Sequence, residues 1–144
     1  MMVDTSILVH AANRQSTSRQ AARRFLEGLV TGEKPWFLSW PIQYEFLRAV
    51  SDGGVFYEPM RAEEVFAFLH ELRSSKMLRI LQETPEHPKI LEEFFKANPD
   101  IKGDAYRVLH TACLMKEHGV TEVASGTGEY RRFPGITVFH PLAR

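Results

Sequence analysis

Short apolar runs alternate with longer amphipathic segments along the whole chain. The runs are "MMVD", "PWFLSW", "KMLRILQE", "VTEVAS" and "PGITVFHPL". Each reads as a buried strand, and strands separated by helices favour a parallel sheet. The expected fold class is therefore α/β, a central parallel sheet of four to five strands flanked by helices. The intervening helices have their own punctuation. "STSRQAARRFLEGLVTG" carries an N-cap candidate and a terminal glycine, and "PIQYEFLRAVSDGG" starts at a proline and stops at glycines. "MRAEEVFAFLHELRSS", "PEHPKILEEFFKANP" and "GDAYRVLHTACLMKEHG" complete the helices, "SILVHAANR" reads as a helical turn, and "GTGEYRRF" as a turn and short helix. A length of 144 residues suits one domain over 1–144.

Charge and cysteine content narrow the class further. The 18 Lys and Arg residues equal the 18 Asp and Glu residues, which argues against indiscriminate charge-driven coating of nucleic acid but not against a local basic groove. A single cysteine, Cys113, cannot form an internal disulfide, which fits a reducing, cytoplasmic setting. It falls in an apolar helical pattern and reads as buried filler. No run is long enough to span a membrane, and the short apolar start, interrupted by Asp4, does not read as a signal peptide.

Three carboxylates stand in unexpected places. Asp4 ends the first apolar run, where a carboxylate is costly without a partner. Glu45 lies among Ile42, Phe46, Ala49 and Val50, the apolar stripe of its helix. Asp104 begins the stripe of Val108, Ala112 and Met115. Each has a purely structural reading: Asp4 bonding the following turn, Glu45 pairing with Arg48, and Asp104 capping a helix. One shared cause also covers all three. Converging carboxylates repel, and a hard divalent cation such as Mg²⁺ or Mn²⁺ relieves that repulsion. Such an ion activates water and stabilises a phosphoryl transition state, the chemistry of a metal-dependent phosphodiesterase. A phosphatase with Asp4 as nucleophile would want a second catalytic aspartate beside it, and none stands there. "SGTG" lacks the lysine and spacing of a nucleotide loop and reads as a turn.

Four motifs in order, "VDTSILVHA", "SWPIQYEFLRAV", "GDAYRVLHTACLMKEHG" and "RRFPGITVFHPL", resemble the PIN-domain nucleases, most of all the VapC-type ribonuclease toxins of toxin–antitoxin pairs. The resemblance covers nearly the whole chain. It implies a PIN-like three-layer fold and a metal-dependent endoribonuclease in which Asp4, Glu45 and Asp104 are the acids that hold Mg²⁺ or Mn²⁺. Ser6 and Thr5 would support the site. The fourth acidic position departs from the family pattern: in "SGTGEYRRFPG", Ser125 matches a threonine, Thr127 stands where an aspartate is expected, and Glu129 and Tyr130 stand where Asp-Phe is expected. Thr127 can position water or phosphate but supplies no charge, and Glu129 is long enough to reach the metal or simply to cap its short helix. An alternative is therefore a catalytically weak PIN domain that binds RNA or an antitoxin.

Arginine matches phosphate oxygens with its planar fork. Arg48, Arg131 and Arg132 are candidates for RNA contact, with Arg14, Arg19, Arg23 and Arg24 forming a second basic group that is equally readable as a solvated helix face. His10 and His110 read as structural rather than as general bases. The resemblance further implies an antitoxin partner bound by the helices around Phe25, Phe66 and Phe68, and a homodimer, although core packing alone explains such aromatics.

Overall fold

The computed structural model describes residues 1–143. Strand β1 (Met2–Val3) runs straight into α1 (Thr5–Ala12), and α2 (Arg19–Thr31) returns the chain to β2 (Trp36–Ser39). Helices α3 (Trp40–Val50) and α4 (Ala62–Arg73) lead to β3 (Leu78–Leu81). Helices α5 (His87–Ala97) and α6 (Ala105–Glu117) cross back to β4 (Glu122–Ala124), and a single turn of 3₁₀ helix (Glu129–Arg132) precedes β5 (Thr137–Phe139). All five apolar runs form strands. The segment read as a helical turn after Asp4 is a full helix of 8 residues, because Asp4 itself caps it by accepting from the Ser6 N–H.

The strands are all parallel, in the order β3-β2-β1-β4-β5. From β1 the chain steps one way to β2 and β3, then crosses back to β4 and β5. Right-handed crossovers therefore put α1–α4 on one face and α5–α6 on the other. The packing agrees: α1 contacts α2 and α3, α2 contacts α4, and α5 lies along α6. The direction of winding reverses at β1, and ligand crevices in such sheets open at the carboxyl ends of the strands beside that reversal. Asp4 is the residue that follows β1.

Burial explains the strand composition. Met2, Val3 and Trp36 have no exposed surface, as expected for strands covered on both faces. The Trp36 indole N–H donates to the Ser75 hydroxyl at 3.0 Å, so a buried polar atom is satisfied. Phe46 packs on Phe68 with ring centroids 5.1 Å apart, closing α3 against α4. On the other face Phe94 of α5 meets Phe133 at 5.4 Å. Cys113 is fully buried, and burial pushes its thiol pKa up to about 12, so it is an inert core residue. Of the three helical aromatics singled out above, Phe68 is buried and Phe25 packs partly against the core, whereas Phe66 is exposed.

A second buried carboxylate ties α6 to the loop after β3. The Glu117 side chain has no exposed surface. Its Oε1 accepts from the Thr84 N–H at 2.8 Å and the Thr84 hydroxyl at 2.9 Å, and its Oε2 meets His87 Nδ1 at 2.7 Å. Burial acts to raise the Glu117 pKa, but the bonds from His87 and Thr84 outweigh it and hold the group below the ordinary 4.5. A depressed carboxylate pKa stabilises the fold above the unfolded value and loses that contribution as pH falls through the folded value. Glu117→Gln is therefore expected to cost about 1–3 kcal/mol near neutral pH. In urea titrations at a series of pH values, the gap from wild type should narrow below the ordinary carboxylate pKa. A gap that stays constant into acid would contradict the pairing.

Candidate active site

Asp4 is 1% exposed, and its position follows from sheet register. Val3 pairs with Ala124, and the Asp4 N–H donates to the Ala124 carbonyl at 2.9 Å, so Ser125 after β4 arrives beside Asp4 after β1. The Ser125 hydroxyl donates to Asp4 Oδ2 at 3.1 Å. The Ser6 hydroxyl donates to the same oxygen at 2.7 Å, and the Ser6 N–H does so at 3.2 Å. Tyr130, fully buried in the 3₁₀ turn, donates its hydroxyl to Asp4 Oδ1 at 2.7 Å. Burial, followed by the charge of Asp4, pushes the Tyr130 pKa well above 10, so the phenol stays the donor.

Backbone amides aim two of these hydroxyls. The Gly126 N–H donates to Ser6 Oγ at 2.9 Å, and the Thr127 N–H donates to Ser125 Oγ at 3.1 Å. With each oxygen accepting from the loop, each hydroxyl proton is directed at Asp4. The loop after β4 thus both supplies donors to the carboxylate, from Ser125 and Tyr130, and orients the serine hydroxyls through its backbone amides.

Glu45 approaches from the opposite layer. Ser39 caps α3 by accepting from the Ile42 N–H at 3.3 Å, and Pro41 stands in the first turn. The Thr5 hydroxyl donates to the Ile42 carbonyl at 3.3 Å, pinning the start of α3 to α1. Ile42, Phe46, Ala49 and Val50 are buried as the stripe demanded, while the Glu45 side chain stays 32% exposed at its edge. Arg48 grips Glu45 Oε2 through Nε at 3.1 Å and Nη2 at 3.0 Å. That contact raises the Arg48 pKa, with Asp104 and Asp52 adding to it at longer range.

Arg107, in the first turns of α6, joins the two acids. Its Nη1 lies 3.4 Å from Asp4 Oδ1, and its Nε lies 4.0 Å from Glu45 Oε2. Asp104 sits one turn earlier, where Gly103 at φ +58° swings the chain into the helix. It occupies the N-cap position of α6 yet makes no side-chain cap bond and is exposed. The structure thus brings Asp4 and Glu45 to one guanidinium and leaves Asp104 on the rim. Among the described residues, no three His, Cys, Asp or Glu side chains converge closely enough as they stand to hold a metal ion. The donor chemistry nevertheless suits a hard cation: two carboxylates flank one position, and positive charge already fills it.

The other expected residues fall around this centre. Thr127 accepts from the Glu129 N–H at 3.4 Å, and its hydroxyl donates to Glu129 Oε2 at 3.4 Å, so Glu129 is turned to its own turn rather than to Asp4. Arg131 and Arg132 are exposed, and Arg132 is paired with Asp100. His10 is held by the Ser16 hydroxyl at 2.7 Å, and His110 faces Glu83 at 2.6 Å, outside the cradle. Tyr130 and Arg107 were not singled out from sequence. Arg107 was findable: it shares a face with buried Thr111 and Leu114, and a cation on a buried stripe calls for an anion. Tyr130 was visible only at a position where the resemblance implies a phenylalanine, with nothing to mark its hydroxyl as used.

These features define a parallel α/β domain with an acidic centre at its topological switch point. The profile of the PIN domain family matches residues 1–134, and the chain belongs to that family. It is 25% identical to Ribonuclease VapC48 of Mycobacterium tuberculosis over 97% of this chain and 96% of that one. To Ribonuclease VapC37 of the same species it is 23% identical, over 99% and 97%. Its fold is similar to two solved structures. One is the VapC20 toxin of Mycobacterium tuberculosis, described as cleaving the sarcin–ricin loop (TM-score 0.66, 14% identity, covering 90% of this chain and 92% of that one). The other is VapBC2 of Rickettsia felis, bound to a DNA fragment from its promoter (TM-score 0.67, 17% identity, 96% of each chain).

The cradle is tested by removing single donors. Tyr130→Phe leaves a buried carboxylate one hydrogen bond short and is expected to lower stability by about 1–3 kcal/mol in urea unfolding. An unchanged midpoint would show that the phenol contributes nothing to Asp4.

Proposed function

We propose that this chain is a divalent-metal-dependent endoribonuclease that hydrolyses phosphodiester bonds of RNA, and the toxin of a toxin–antitoxin pair. The observation that carries this reading is Asp4, buried at the switch point of a PIN fold and sharing one cation position with Glu45. Relatives named as ribonucleases along essentially the full length support it. Asp4 and Glu45, with Asp104 from the rim, would hold Mg²⁺ or Mn²⁺. When bound, such an ion lowers the pKa of a water and stabilises the charge that develops on the phosphoryl oxygens.

The chain's own residues take the remaining tasks. Ser6, Ser125 and Tyr130 fix the direction of the Asp4 carboxylate, and Thr5 fixes the helix that carries Glu45. Arg131 is exposed, and Arg48 and Arg132, exposed but paired with Glu45 and Asp100, would exchange those partners for the RNA backbone. The Thr127 hydroxyl orients a water or phosphate where relatives place an acid. The cleft between α2 and α4, lined by Arg23, Leu26, Val30, Phe68 and Leu72, is the surface for an antitoxin segment. The protein acts in the cytoplasm as a homodimer. No helix among the described residues is long and apolar enough to cross a membrane.

A structured RNA pool incubated with the purified chain in EDTA, Mg²⁺ or Mn²⁺ tests the reading. Cutting is expected only with metal, and Asp4→Asn should abolish it while leaving the circular dichroism spectrum unchanged. Equal cutting by both proteins would sink the proposal. A second reading, a catalytically weak RNA- or antitoxin-binding module, is favoured by Thr127 in the acidic position and by the arginines that neutralise Asp4 and Glu45. It predicts retained RNA binding with no measurable Mn²⁺ binding. If the missing acid limits activity, Thr127→Asp is expected to raise the metal-dependent cleavage rate several-fold; an unchanged rate would exclude this position as the limit.

A further inference from the structure

We infer that Arg107 is a displaceable counter-ion that holds the cation position between Asp4 and Glu45, and so sets how tightly the site takes a divalent ion. The inference rests on the metal-dependent reading above.

Each carboxylate oxygen has about two directions in which to accept. Those of Asp4 are nearly all committed. Oδ2 receives the Ser6 N–H, the Ser6 hydroxyl and the Ser125 hydroxyl. Oδ1 receives the Tyr130 phenol at 2.7 Å, which leaves one direction, and Arg107 Nη1 stands there at 3.4 Å. The two serine hydroxyls are locked by loop amides and the phenol is buried, so these donors cannot yield without disturbing the core. The Arg107 contact is the longest of the set and belongs to a flexible side chain that is 25% exposed. An ion entering at Oδ1 must therefore take the direction that the guanidinium uses.

Glu45 reinforces the exclusion. Arg107 Nε is 4.0 Å from its Oε2, beyond a hydrogen bond but within strong attraction, so one guanidinium serves both carboxylates. A divalent ion bridging the same pair would meet Arg107 at close range, and two cations there repel. Binding is consequently an exchange of guanidinium for ion. Arg48 holds the same Glu45 Oε2 through Nε and Nη2, so that oxygen is already crowded with positive charge.

Mn²⁺ binding to the full chain without RNA, measured by calorimetry, tests the exchange in wild type, Arg107→Met, Arg107→Lys and Asp4→Asn. Arg107→Met removes a cation from the ion's position and is expected to bind Mn²⁺ at least about tenfold tighter than wild type. The lysine variant should fall between, and Asp4→Asn should lose binding. In wild type, the Arg107 Nε–H resonance is expected to move as diamagnetic Mg²⁺ is titrated. Equal Mn²⁺ affinity in wild type and both Arg107 variants, with an unmoved resonance, would overturn the counter-ion role and leave the metal-dependent reading intact. No Mn²⁺ binding by any variant would overturn both. Should Arg107→Met not fold, the lysine variant and the wild-type titration decide the matter alone.

Discussion

A carboxylate with almost no exposed surface sits at the centre of this molecule, and the architecture around it follows from the need to satisfy it. Burying a charge without partners costs far more than a small domain can tolerate. Here the partners come from three separate stretches of chain: Ser6 beside Asp4, Ser125 and Tyr130 around the loop after β4, and Arg107 on α6. Parallel register between β1 and β4 is what makes the second of these reachable, because it sets the ends of the two strands side by side.

The two helical layers contribute opposite things. The layer with α3 supplies an acid, Glu45, at the edge of an otherwise apolar stripe. The layer with α6 supplies a base, Arg107, whose reach spans the crevice. Between them the centre is neutralised by arginine while keeping a hard-oxygen character. The turn after β4 makes a different contribution. There Thr127 is an uncharged residue bonded to Glu129, while Tyr130 sends its hydroxyl into the interior to bond Asp4.

Much of the fold was legible because strand and helix signals agreed at every step. "PWFLSW" and "VTEVAS" are apolar runs bounded by turn residues, and each is a strand. Asp4 was legible for the same reason: a carboxylate at the end of a buried run has few explanations. The limits lie in side-chain direction. Glu45 falls in the stripe by periodicity, yet only packing shows that its head leans to the edge and meets Arg48. Asp104 and Arg107 are one turn apart on the same helix, and spacing alone cannot say which of them meets Asp4. Glu129 and Tyr130 are adjacent in sequence, but one faces solvent and the other the core, a choice made by a 3₁₀ turn too short to carry a periodic signal.

The pairing of the first strand with the fourth has a consequence in time. Asp4 is made long before its partners Ser125 and Tyr130, which lie 121 and 126 residues further along. Contacts that close such long loops form late in folding, after local helices and the β1–β2 pair have had their chance. A growing chain therefore holds its central carboxylate with Ser6 alone until the turn after β4 has been made. The centre matures only when the C-terminal strands arrive, so assembly of the site and completion of the sheet are a single event.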